Sequence, residues 1–250
     1  DIESLPFLEA ARQFKQEAGD SNVLYIHLTL IPYIRVADEI KTKPTQHSVG
    51  TLREIGILPD ILICRTEKAL TEEVKEKISL FCNVRKEAVI EARDVETIYQ
   101  IPGVFKAQIL DEIILSHFHL ICQPGAPVEG LQESVNLGEW EKNVVDRVLR
   151  PRLKIRIAVV GKYIGLQDAY KSIYEALIHA GIANEARVEV KRIDSEDIEK
   201  QGAEDLLADV AGVLVPGGFG SRGIEGKIKA IAWARKKGIP FLGLCLGMQC

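Results

Sequence analysis

The chain has 250 residues, 46% of them hydrophobic, enough for two domains with sizeable cores at the usual ~150 residues each. The net charge of −4, with both signs interspersed, gives no reason to expect nucleic acid or an anionic membrane as partner. No apolar run approaches the ~18 residues that span a bilayer, and no secretory signal opens the chain, so the reading is a soluble, cytoplasmic protein.

In the first half, Asn22 to Ile31 (NVLYIHLTLI) and Asp60 to Arg65 (DILICR) read as buried strands. Thr71 to Val84 reads as a helix leading into a strand approach, and Glu87 to Ala92 as a short strand. Between Phe118 and Arg156 the composition turns rich in Gly, Pro and polar residues, then gives a short amphipathic helix (EWEKNVVDRVLR) ended by Pro151. The expected division is a first domain at 1–134, a linker at 135–153 and a second domain at 154–250. After the linker, KIRIAVVGKY opens a strand and DAYKSIYEALIHAGI has helical spacing with a stop at Gly181. RVEVKRID, GVLVPGGFG and PFLGLC supply three more strands. Strands alternating with helices predict an α/β protein of two doubly wound domains with mainly parallel sheets.

The five cysteines, odd in number and without a Cys-x-x-Cys pair, read as reduced thiols rather than a disulfide or zinc framework, and no metal site is read. One of them stands apart. Gly243-Leu244-Cys245-Leu246-Gly247 has the G-x-nucleophile-x-G form of a strand-to-helix elbow, where glycines relieve crowding and the nucleophile is exposed at a helix N-terminus. About half a positive charge there favours thiolate over thiol. The Leu246 amide is a natural oxyanion donor, and Pro216-Gly217-Gly218-Phe219-Gly220 is a second loop whose amides can approach a ligand. Each feature has a plainer reading: a buried core thiol for Cys245, a tight loop for the glycines. Two such loops, each following a strand of one small sheet, favour function. Lys41 to Ser48 (KTKPTQHS) offers lysines, a stiffening proline and hydrogen-bonding side chains suited to a nucleotide, or else a solvated polar loop; ARDVET alone reads as a helix cap.

VLVPGGFG followed by PFLGLCLGMQ resembles class I glutamine amidotransferase domains, and VVGKY with DAYKSIYEAL is similar to the version found in the CTP synthase family. DIESLPFLEAARQF, KTKPTQHSVGTLR, FCNV and RDVETIYQIPG likewise resemble that family's P-loop-type synthetase domain, so the resemblance runs along essentially the whole chain. It implies an ATP-dependent ligase that makes CTP from UTP with ammonia from glutamine, with Mg²⁺, activation by GTP, feedback by CTP, and a homotetramer. By the same resemblance Cys245 is the nucleophile, with Gly218, Leu246, Gly247, Met248 and Gln249 holding glutamine and its oxyanion. Lys41, Thr42, Lys43, Pro44, Thr45 and Gln46 contact the pyrimidine nucleotide, Lys77 reaches it from a neighbouring subunit, and Asp1, Ile2 and Glu3 belong to the CTP site. Arg93, Asp94 and Val95 line the adenine of ATP, and Phe219 and Arg222 belong to a GTP-responsive lid.

The family's His-x-Glu pair should follow the elbow far downstream, and its phosphate-binding loop and Mg²⁺ carboxylates should precede Asp1. Both domains are therefore expected to be incomplete here, and these residues alone to lack both activities. His179, on a predicted helix, reads as a surface or packing histidine. Another amidotransferase, or a non-catalytic scaffold relative, are the alternatives; the first leaves KTKPTQHSVGTLR without a role, and the second predicts no thiol of unusual reactivity.

Overall fold

Alternating strands and helices resolve into two units, residues 1–141 and 142–250, in the computed structural model, which describes residues 2–120, 137–218 and 220–250. The boundary falls inside the segment read as a linker. Residues 121–136, which hold the Gly/Pro-rich stretch, Cys122 and the start of that linker, lie outside the described residues, as do Asp1 and Phe219.

The first unit runs α1 (Leu5–Ala18), β1 (Ile26–Leu30), the two-stranded antiparallel ribbon β2 (Tyr33–Ile34) and β3 (Glu39–Ile40), α2 (Lys43–Glu54), β4 (Ile61–Thr66), α3 (Glu72–Cys82), β5 (Val89–Arg93), α4 (Ile101–Lys106), α5 (Leu110–His117) and α6 (Leu137–Trp140). β1, β4 and β5 form a parallel sheet with β4 in the middle, paired Ile26↔Ile61 and Leu62↔Val89. Ile61, Leu62 and Cys64 of β4 are buried with Val49 of α2, Ile78 of α3 and Ile90 of β5, the contiguous run expected of a strand covered on both faces. β1 departs from its buried reading. Ile26, Leu28 and Leu30, which share one face of the sheet, are exposed, while Thr29, which points the other way, is buried. Helix α3 starts where the Thr71 hydroxyl accepts the Val74 N–H and ends at Asn83 in the left-handed conformation.

KTKPTQHS is not a loop. Pro44 sits in the first turn of α2, where a missing N–H costs nothing and the fixed φ suits the helix. Thr45 is buried, its hydroxyl 2.8 Å from that of Thr29, which ties α2 to β1.

The short helix expected before Pro151 is α6, a π-type turn at Glu141–Val145 and α7 (Asp146–Leu149). The second unit continues with β6 (Leu153–Gly161), α8 (Lys171–Ala183), β7 (Ala186–Asp194), α9 (Ser195–Gln201), α10 (Glu204–Leu207), β8 (Gly212–Val215), α11 (Ile224–Lys237), β9 (Phe241–Gly243) and α12 (Leu246–Gln249). Its four strands are parallel in the order β7-β6-β8-β9. The chain leaves β6 in one direction to make β7 and returns past it to make β8, so the carboxyl ends of β6 and β8 flank a topological switch point. Gly181 is not the stop of α8; the helix continues to Ala183, and a side chain at 181 would lie 2.4 Å from the Ala186 carbonyl. Its glycine allows β7 to return close against the helix. Among the described residues no helix is long and apolar enough to cross a membrane.

Cys64 allows a test of the first core. Burial, reinforced by neighbouring Cys82, pushes its thiol from 9.0 up to about 12. A group held protonated in the folded state contributes stability that is complete below pH 9 and is lost as pH rises towards 12, because only the unfolded chain then releases the proton. Alkaline unfolding followed by circular dichroism should therefore be less steep over that range in Cys64→Val; superimposable profiles would refute this account of the core.

Candidate active site

The two loops singled out by sequence emerge side by side. β8 and β9 are parallel neighbours paired Val215↔Gly243, and the Leu244 N–H donates to Val215 O at 2.9 Å just past the end of the ladder. β8 runs into Pro216-Gly217-Gly218, and β9 turns through Leu244 and Cys245 into α12. Both loops lie at the carboxyl edge of the sheet, where open α/β folds bind ligands.

Cys245 has φ 52° and ψ −113°, a conformation that costs a non-glycine residue ~1–3 kcal/mol and persists only when its surroundings impose it. The flanking glycines show what imposes it. A Cβ on Gly247 would lie 2.0 Å from Val215 O, and one on Gly243 would lie 2.4 Å from Gly247 O, so the turn is too tight for any other residue at either position. The expected reason for the G-x-Cys-x-G spacing is thus met by backbone crowding. Cys245 is exposed, whereas Cys64 and Cys82 are buried. Opposite it, the position of a Cβ on Gly217 is 3.3 Å from Cys245 Cβ and 3.7 Å from Sγ, so the glycine loop covers one side of the thiol. The N–H groups of Gly217, Gly218 and Leu246 donate to no backbone carbonyl among the described residues, which leaves them for a ligand. Of the residues after the nucleophile, Gly247 is buried, Leu246 is half-buried, and Met248 and Gln249 are exposed.

A lysine missed by the sequence reading lies beneath the glycine loop. Lys227 of α11 is 1% exposed, and its ammonium donates to Pro216 O at 3.3 Å. It is also 3.3 Å from where Gly218 would carry a Cβ. The signal was present in the sequence: Lys227 shares the apolar stripe of α11 with Ala230 and Ala234 at helical spacing. Arg222 is held by Glu196 at 2.6 Å. His179, the one histidine of this unit's sequence, is exposed on α8.

In the first unit, Lys41 follows β3, its N–H bound to Pro32 O just after β1 and its ammonium 2.5 Å from Glu39. Thr42 is buried and accepts from Gln46 Nε2 at 3.1 Å, while Lys43 and Pro44 are exposed at the start of α2. Arg93 and Asp94 end β5 and are exposed, with Val95 half-buried. Asp94 pairs with Arg65 of β4 at 3.3 Å, and its N–H reaches Thr66 O. Lys41 and Arg93–Val95 therefore both stand at the carboxyl edge of this second parallel sheet. No hydrogen bond or ion pair among the described residues joins the two segments, nor either one to Lys77, which is exposed on α3. Glu3 is exposed in a 3₁₀ turn with Ile2. Among the described residues no group of three or more His, Cys, Asp or Glu is placed to hold a metal ion.

An exposed thiol on a glycine-relieved elbow, at the edge of a parallel sheet and covered by a second glycine loop, defines an amidotransferase-type α/β domain. The family described as "Glutamine amidotransferase class-I" matches residues 165–250, and that described as "CTP synthase N-terminus" matches residues 1–120. Both halves of the chain, in order, are similar to the CTP synthase family. It is 53% identical to a CTP synthase of Halalkalibacterium halodurans and 55% identical to one of Geotalea uraniireducens, in each case over 100% of this chain and 45% of the relative. The chain thus spans about half the length of the curated relatives it matches. Among solved structures, "Trypanosoma brucei CTPS - glutaminase domain with bound acivicin" is 41% identical over 38% of each chain, with a TM-score of 0.36.

Proposed function

We propose that the protein containing these residues aminates UTP to CTP at the expense of ATP, with ammonia cut from glutamine at Cys245. The observation that carries this reading is one chain in which both family halves occur in order and the second presents its elbow cysteine exposed beside Gly217 of the glycine loop. The Cys245 thiolate attacks the side-chain amide carbon of glutamine. The tetrahedral oxyanion is taken by N–H groups at Leu246 and the Gly217–Gly218 strip; its collapse, with the proton given up by the thiol passed to the leaving nitrogen, breaks the C–N bond and releases ammonia, leaving a thioester that water hydrolyses to glutamate. In the other half, ATP phosphorylates the uracil O4, and ammonia displaces the phosphate to give the 4-amino group.

Lys41, Lys43 and Gln46 are available for the pyrimidine nucleotide, whereas Thr42 and Thr45 shape the segment from inside. Arg93–Val95 suit ATP at the neighbouring strand end, and Lys77 serves the nucleotide site of another subunit in a homotetramer. Asp1, Ile2 and Glu3 belong to a CTP feedback site. GTP activates through Arg222 and Phe219. Ammonia must travel to the uracil unprotonated, because ammonium is not a nucleophile; a water-excluding path between the sites follows from that chemistry.

The whole protein supplied with UTP and ATP should form CTP with either glutamine or ammonium as nitrogen source, measured by chromatography of the nucleotides. Ammonia release from glutamine without CTP formation from either source would sink the CTP assignment and leave an amidotransferase of another kind.

A further inference from the structure

A buried lysine needs a reason. Taking an ammonium out of water costs several kcal/mol unless it is paired, yet among the described residues Lys227 has no carboxylate partner, only Pro216 O at 3.3 Å. Two adjacent glycines separate this nitrogen from the thiol: the missing Cβ of Gly217 would lie 3.7 Å from Cys245 Sγ, and that of Gly218 would lie 3.3 Å from Lys227 Nζ, tighter than ordinary contact. We propose that Lys227 is a positioning residue for Cys245, whose ammonium anchors the Pro216–Gly217–Gly218 strip by the Pro216 carbonyl and makes the face presented to the thiol selective for anions. This rests on the glutaminase reading above and adds to it: an oxyanion or sulfur anion forming over the strip lies above a fixed positive charge that water does not screen.

The surrounding charges agree with the assignment. Burial lowers the Lys227 pKa from the ordinary lysine value, Cys250 and Cys245 act in the opposite direction, and Lys162, at the carboxyl end of β6, acts with burial. From α9, Glu199 accepts the Gly226 N–H at 3.2 Å and Glu196 is occupied by Arg222, so both acidic groups on that side have other partners. Lys162 Nζ lies 3.6 Å from where Gly220 would carry a Cβ, which places a second cation at the far end of the same loop.

The test compares alkylation of Cys245 by iodoacetate and iodoacetamide in the whole protein without glutamine, with the labelled peptide quantified by mass spectrometry. The two reagents share one reacting carbon and differ in charge, so their rate ratio reports local potential, which a purely structural lysine would not set. Lys227→Met removes the charge at similar volume. Lys227→Gln removes it while keeping a donor for Pro216 O. Both should lower the iodoacetate-to-iodoacetamide ratio by about fivefold, and both should lower glutaminase kcat by about tenfold with KM for glutamine within about twofold. An unchanged ratio in both variants overturns the proposal, as does insolubility of both, which would make the lysine structural. Failure of the glutaminase reading shows separately, as wild-type Cys245 that glutamine does not protect from either reagent.

Discussion

Cys245→Ala should reduce glutamine-dependent CTP formation by a factor of ~10⁴ or more, while ammonium-dependent formation stays within about twofold of wild type. The asymmetry follows from the placement of the residue. Its side chain is exposed and bears no structural burden; the elbow is imposed by Gly243, Gly247 and Val215 O, none of which alanine disturbs. On the proposed mechanism, replacing Cys245 therefore takes away the covalent step and little else. Ammonia supplied from solution bypasses that step, since displacement of phosphate from the uracil requires only the free amine. The comparison is made by following CTP formation with each nitrogen source at saturating UTP and ATP. Equal loss with both sources would mean that Cys245 supports the fold or the synthetase half instead. A retained glutamine-dependent rate would place the nucleophile elsewhere.

The elbow was legible in sequence because its cause is local. Gly-x-Cys-x-Gly after an apolar run specifies a turn whose crowding involves residues two to four apart, and the structure supplies the one distant partner, Val215 O, from the neighbouring strand. The parallel sheets were legible for a similar reason: continuous β-branched runs such as ILIC in β4 and AVV in β6 have no polar face and must be covered on both sides. What failed to read correctly depended on position in the sheet or on distant packing. β1 has the composition of a strand covered on both faces, yet its Ile26, Leu28 and Leu30 are exposed and Thr29 on the other face is buried. KTKPTQHS has a loop composition, yet two of its threonines are buried and its proline starts a helix. Gly181 resembles a helix stop, and its role is instead set by a carbonyl five residues later.

Lys227 is the clearest case. In sequence it is one cation among 32, on a helix whose last turn carries Arg235, Lys236 and Lys237 in solvent. Its burial depends on the Pro216–Gly218 strip lying over the start of α11, a long-range contact between the helix and the glycine loop. The second unit accordingly divides its labour. The elbow strains and exposes the thiol, the glycine strip faces it, and α11 fixes the strip from beneath.

Gly247→Ala should be the most damaging conservative change in this unit. The added Cβ would lie 2.0 Å from Val215 O and 2.7 Å from Val215 C, whereas ordinary contact begins beyond 3.4 Å. Neither partner can yield easily. Val215 ends β8, which is hydrogen-bonded to strands on both sides, its side chain is fully buried, and its carbonyl already accepts Leu244 N–H at 2.9 Å. α12 must therefore move away by more than an ångström, taking Cys245 and the Leu246 amide with it and breaking the Leu244 bond that fixes the elbow. Overpacking of this kind costs ~1–3 kcal/mol or somewhat more. A displacement near 1 Å at a nucleophile and its oxyanion donor should lower glutaminase kcat by ~10²-fold or more. Gly165→Ala is the matched control, since a Cβ there meets nothing within 4 Å. Thermal melts and glutaminase kinetics on the two variants decide the matter: a lowered Tm and kcat for Gly247→Ala alone support the crowded elbow, and indistinguishable variants would mean that the turn is held open by something other than the Val215 carbonyl.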